Sequence, residues 1–164
     1  MPYDPKNPPP PRAAAGGPVS HAIFRLAKAH RALAAQLLRD VGLHPGQELL
    51  MMRLWDCGPM RQTYLAEEFD TDSASMTRTV QRLEKAGYVR RVPDPADGRA
   101  TLVEPTAASL GLRTRVERLW AELERRTLGD LPPSQRAATL ETLRCLERNV
   151  LSDAGRPPAA PPPG

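Results

Sequence analysis

The stretch DSASMTRTVQRLEKAGYVRRVPDPADGRATLV, residues 72–103, decides the fold. At 100° per residue, Met76, Val80 and Leu83 share one helical face, while Ala74, Arg78, Gln81, Arg82 and Lys85 lie opposite. One face is built for burial and the other for solvent or a partner. Asp72 suits an N-cap, because its carboxylate can accept from the free N–H groups of the first turn, and Gly87 suits the left-handed residue after the last one. Such a helix is about 21 Å long, which fits a DNA major groove. After it, YVRRV and RATLV read as two strands around PDPADG, whose prolines, aspartates and glycine mark a turn. The pattern is a helix followed by a wing.

Charge is concentrated in the same place. The whole chain of 164 residues carries a net charge of only +4. Residues 73–92 alone hold Arg78, Arg82, Lys85, Arg90 and Arg91 against the single acid Glu84, a local balance of +4. Taken singly, Arg78 and Arg82 are what any solvated helix face carries. A serine-rich helix start, a glycine stop and a basic hairpin in the same window point instead to DNA contact. Arg90 and Arg91 alternate along a strand, so one faces outward and the other covers the domain, and the pattern does not choose between them.

Working outward, prolines partition the chain. Seven of the 19 fall in residues 1–18 and five in residues 155–164, so both ends are expected to be disordered tails. The 40% hydrophobic content is enough to build one core between them. Before the central stretch, Val19, Ile23, Leu26, Leu33 and Leu37 recur at steps of three, four and seven, with His30 on the same seam. That seam needs a cover, either its own domain or a second copy of the chain, and the second is the sharper reading. PGQELLMMRLWDCG has little polar surface and reads as a core helix, and RQTYLAEEF as a short helix that braces the next one. Beyond the wing, Leu112, Val116, Leu119, Trp120 and Leu123 mark one helix. Leu140, Leu143, Leu146 and Val150 mark another, with Ser134 as its expected N-cap.

Composition also excludes. No apolar run approaches the roughly 20 residues that span a bilayer, and the N-terminus lacks the basic-then-apolar order of a secretory signal, so a cytoplasmic protein with no membrane partner is expected. Cys57 and Cys145 are too few for a disulfide framework and are expected to be small buried residues. His21, His30 and His44 lack metal-ligand spacing, so no metal and no cofactor are expected. The only glycine-rich run, AAAGGPV, lies in the tail without a strand-loop-helix context, and no nucleophile has a histidine close by in sequence; an enzyme is not expected.

The run LAEEFDTDSASMTRTVQRLEKAGYVRRVPDPADGRATLVEPT, residues 65–106, resembles the core of the MarR family of bacterial winged-helix transcriptional regulators. The order of the flanking helices extends that resemblance over roughly residues 19–151. It implies a mainly α winged helix-turn-helix with a two-stranded wing and N- and C-terminal dimerisation helices (19–41 and 106–151) around a DNA-binding lobe (45–103), between tails 1–18 and 152–164. The resemblance also implies a homodimer on a pseudo-palindromic double-stranded DNA operator. By position, Ser73, Ser75, Thr77, Arg78 and Arg82 would contact DNA from the recognition helix, Arg99 would enter the minor groove from the wing, and Asp97 would orient it.

Many members of that family release DNA when a small lipophilic or phenolic effector enters a cleft between the dimer helices and the DNA-binding lobe. In this chain His30, Met51, Met52, Trp55 and Trp120 are the candidates to line it, although each taken alone is ordinary core. The resemblance thus implies a repressor released by a small molecule. The rival reading is a winged helix that binds proteins without specific DNA binding. Three departures from the family pattern stand out. Arg61 replaces a capping serine or threonine and is free to meet a phosphate, Gly98 replaces an arginine in the wing, and Pro105 with TAASLG opens the helix that follows.

Overall fold

The computed structural model describes residues 10–153. The described residues form two compact units, 10–124 and 125–153, whose boundary falls inside a helix. The parts of the two tails at 1–9 and 154–164 lie outside the described residues. Within the N-terminal stretch, Arg12–Ala14 forms one turn of 3-10 helix, closed by the Ala14 N–H donating to Pro11 O at 2.8 Å. Order thus begins earlier than the proline content suggests, since a proline carbonyl still accepts although its nitrogen cannot donate.

In the first unit, α1 (Pro18–Val41) opens on a proline at its first position, where the missing N–H costs nothing. It is followed by α2 (Gln47–Cys57), the two-residue strand β1 (Met60–Arg61), α3 (Gln62–Glu68) and α4 (Ser73–Lys85). The hairpin β2 (Val89–Asp94) and β3 (Asp97–Pro105) comes next, and then α5 (Ser109–Leu128). The sheet has three strands in the order β1-β3-β2, all antiparallel, so the wing expected as two strands gains a third. Val103 pairs with Met60 on one side and Arg91 on the other. Two residues are too short to display the alternation that reveals a strand.

One core holds this unit together. Leu38 of α1, Leu50 and Leu54 of α2, Leu65 of α3, Val80 and Leu83 of α4, Val103 of β3 and Val116 of α5 are all essentially inaccessible. The Met76, Val80 and Leu83 face lies inward as the periodicity requires. Gly87 ends α4 at φ 79°, a left-handed position a side chain would strain, and lets the Tyr88 N–H donate back to Leu83 O at 2.9 Å. The α1 seam is split: Leu37 is buried, Leu33 half-buried, and Val19, Ile23 and Leu26 are exposed beside Phe24.

The second unit contains the end of α5 and α6 (Pro133–Asp153). Pro133 already stands in helix, so Ser134 lies inside the first turn rather than capping it. The helix opens instead with the Gln135 and Arg136 N–H groups donating to Pro132 O, each at 3.0 Å. No residue of α6 is buried, and Leu140, Leu143, Val150 and Leu151 are exposed. Both cysteines are exposed, contrary to the expectation of burial: Cys57 ends α2, and Cys145 sits on the unburied α6.

Candidate nucleic-acid interface

The start of α4 is organised by Asp72. Its carboxylate accepts from the Ser75 backbone N–H at 2.8 Å and from the Ser75 hydroxyl at 2.6 Å. Those bonds, the hydroxyl's first, hold the Asp72 carboxyl below its ordinary value. The same Ser75 oxygen accepts from Arg78 Nη2 at 2.9 Å. Arg78 is therefore held along the helix surface through Ser75.

Thr77 is placed differently from its neighbours. Its hydroxyl donates to Ser73 O at 2.8 Å and accepts from Gln62 Nε2 at 2.8 Å, so it fastens α3 to α4. Ser73 and Arg82 are exposed, and among the described residues Arg82 joins no ion pair. Arg90 pairs across the hairpin with Glu104, while Arg91 reaches Glu84 of α4 at 2.8 Å. Arg90 thus ties the two strands of the wing together, and Arg91 ties the wing to α4.

At the wing tip Arg99 is exposed and, among the described residues, outside any ion pair. Asp97 meets it through the backbone, accepting from the Arg99 N–H at 3.1 Å, and not through the guanidinium. The other Asp97 oxygen lies 3.7 Å from Arg61 Nη2. Arg61 itself points to the wing: its Nε and Nη2 reach Asp94 Oδ2 at 2.7 and 2.6 Å. The position left open for a phosphate contact is thus a clamp, and α3 begins with no side-chain cap from Arg61. Asp94 is buried and caps the turn through Ala96 N–H at 2.9 Å. That bond first, and Arg61 second, lower the Asp94 carboxyl from its ordinary value.

Of the five candidate effector contacts, three come together. Met52, Trp55 and Trp120 line one cavity of about 300 Å³ with Val116, and Arg113 and Glu117 of α5, paired at 3.1 Å, add polar groups. Met51 is wholly inaccessible in the core and does not line it. His30, half-buried on α1, does not line it either. Sequence alone could not separate Met51 from Met52, because adjacent residues on a nearly all-apolar helix differ only by rotation about its axis.

Comparisons with known proteins agree with this geometry. The model of the MarR family matches residues 43–101. The chain is 31% identical over 104 residues to the uncharacterised HTH-type transcriptional regulator YxaD of Bacillus subtilis, covering 57% of this chain and 73% of that protein. It is 29% identical over 126 residues to the HTH-type transcriptional repressor NicR of Pseudomonas putida, covering 77% and 80%. Among solved structures, Bordetella bronchiseptica BpsR, whose DNA binding is regulated by 6-hydroxynicotinic acid, superposes with a TM-score of 0.71 at 24% identity, covering 85% and 98%.

Proposed function

Since this chain belongs to the MarR family of DNA-binding, winged-helix transcriptional regulators, we propose that it acts as a homodimeric repressor that leaves a pseudo-palindromic operator when a small aromatic molecule binds. The observation that carries the DNA contacts is that Arg82 on α4 and Arg99 at the wing tip join no ion pair among the described residues, on elements held together by a shared core. Ser73, Ser75 and Arg78 extend the contact along the helix start, Thr77 orients α4 on α3, and Asp97 shapes the turn that presents Arg99. A helix reads base edges in the major groove, and an arginine gains from the negative potential of a narrow minor groove.

Residues 45–103 form the DNA-binding lobe of this reading, and 19–41 with 106–151 supply dimer contacts. Exposed apolar residues on α1 and on α6 support the second assignment, because such residues want a cover. Repression follows the example of NicR, and control of DNA binding by a small molecule that of BpsR. Two tryptophans and Met52 around the cavity suit a flat ring.

The test is an anisotropy titration of the protein against DNA from the upstream region of its own gene, at two salt concentrations, with Arg99→Ala alongside. Saturable binding that resists competitor DNA and weakens in the variant is expected, and sedimentation should give a dimer. Adding 6-hydroxynicotinic acid should quench tryptophan emission and release the DNA. Binding equal for all DNA and indifferent to Arg99 would replace this reading with a protein-interaction module.

A further inference from the structure

Hydrogen bonds on either side of Thr106, linked through its covalent frame, join the cavity to the end of the recognition helix. Trp55, in the cavity wall, donates its Nε1–H to Ser109 Oγ at 2.9 Å. Ser109 is completely buried, and its hydroxyl donates onward to Thr106 O at 2.7 Å. Thr106 in turn donates twice, from its hydroxyl to Gly87 O at 2.6 Å and from its N–H to Tyr88 O at 3.0 Å. Gly87 and Tyr88 are the residues that close α4, through N–H bonds to Glu84 O and Leu83 O, each at 2.9 Å.

We propose that Ser109 and Thr106 are positioning residues that couple occupancy of the cavity to the pose of α4, which rests on the reading of the protein as an effector-released DNA binder. The Ser109 hydroxyl is used once as acceptor and once as donor, and its complete burial keeps bulk solvent from replacing either partner. A molecule that displaces the Trp55 indole therefore leaves a buried hydroxyl short of a partner, and the run must rearrange or break. Its far end holds the carbonyls of Gly87 and Tyr88, the second and third residues after α4, so the rearrangement is delivered to the end of the helix that carries Arg82. Linkage makes the coupling reciprocal: DNA that fixes α4 must also bias the indole. A purely structural Ser109 would stabilise the start of α5 and transmit nothing.

The test uses the indole N–H resonances of the full chain, whose two tryptophans, Trp55 and Trp120, are distinguished by a Trp120→Phe sample. Thr106→Val removes only the hydroxyl, and Thr106→Ser keeps it. In the free protein, Thr106→Val should move the Trp55 resonance although it lies two bonds down the run, and Thr106→Ser should not. Ser109→Ala should speed amide exchange across residues 86–88 by about fivefold, the factor expected for one buried hydrogen bond. Upstream DNA should shift the Trp55 resonance in the parent and in Thr106→Ser, and leave it in place in Thr106→Val that still binds. Thermal melts establish that each variant is folded. An unmoved Trp55 resonance in folded Thr106→Val, unchanged exchange in folded Ser109→Ala, or an equal DNA response in every variant would overturn the coupling. A parent that binds no DNA would overturn the regulator reading and the coupling's role in it, while the two free-protein measurements still decide whether the bonds transmit.

Discussion

Arg61 and Asp94 join the strand before the bracing helix to the tip of the wing, with two guanidinium nitrogens within 2.7 Å of one carboxylate oxygen. The wing tip therefore balances two acids, Asp94 and Asp97, against Arg61 and Arg99. Removing Arg61 leaves it net negative next to phosphates and frees the turn that presents Arg99. Arg61→Ala should weaken DNA binding by roughly tenfold while the protein stays folded. Arg61→Lys should fall between, because an ammonium restores the charge without the two-nitrogen contact. Anisotropy at one fixed salt concentration measures both, and parental affinity in Arg61→Ala would remove the clamp from the DNA-binding account.

The free arginines make a separate prediction about salt. If Arg82 and Arg99 each neutralise a phosphate, then Arg82→Ala and Arg99→Ala should each reduce the slope of log K against log salt by about 0.9 for every phosphate left without its arginine. Arg90→Ala should leave the slope nearly unchanged, since its guanidinium is already paired with Glu104. Titrations at four or more salt concentrations give the slopes. Equal slopes for all three variants would mean that the phosphates are met elsewhere on the protein.

Much of this arrangement is legible before folding, for identifiable reasons. The α4 periodicity, the Asp72 cap and the Gly87 stop are local, set by residues within a turn or two of each other, and they appear as read. Arg61 and Asp94 are 33 residues apart, and nothing local ties a cation after Pro59 to an acid in the wing. Strand β1 is hidden for the same reason, because its identity comes from β3 and not from its own two residues. Ser109 is legible only as part of an unusual helix start; its role depends on Trp55, 54 residues away. The cavity divides along the same line, since helical spacing could nominate Met51 and Met52 together but not say which one faces outward.

The lowered carboxylates make stability depend on pH in the acid range. Asp72 and Asp94 titrate below their ordinary 3.8 in the folded chain, so the unfolded chain binds those protons first as pH falls. Their contribution is fully present above that ordinary value and is lost as pH drops through the folded ones. Melting temperature should therefore decline below about pH 4, and Asp94→Asn should flatten the decline. A variant whose acid limb matches the parent's would show that Asp94 does not supply it.

Glu48 makes the opposite prediction. It lies in the first turn of α2, is only 7% exposed, and has a side-chain oxygen, Oε2, with no hydrogen-bond partner among the described residues. Burial raises its carboxyl above the ordinary 4.5, against the weaker pull of the Glu48 and Gly46 backbone N–H groups. A raised folded value means that ionised Glu48 destabilises the fold at neutral pH, and that this burden is relieved as pH falls from the folded value toward 4.5. Glu48→Gln keeps one acceptor for the backbone and removes the charge, so it should stabilise the protein at pH 7 by on the order of 1 kcal/mol. The gain should shrink on acidification and vanish below the ordinary Glu48 value, where both side chains are neutral. The parent melting curve should thus rise slightly on mild acidification before the aspartates pull it down, whereas Glu48→Gln should only fall. A Glu48→Gln protein less stable than the parent at pH 7 would show that the buried charge is not what limits stability there.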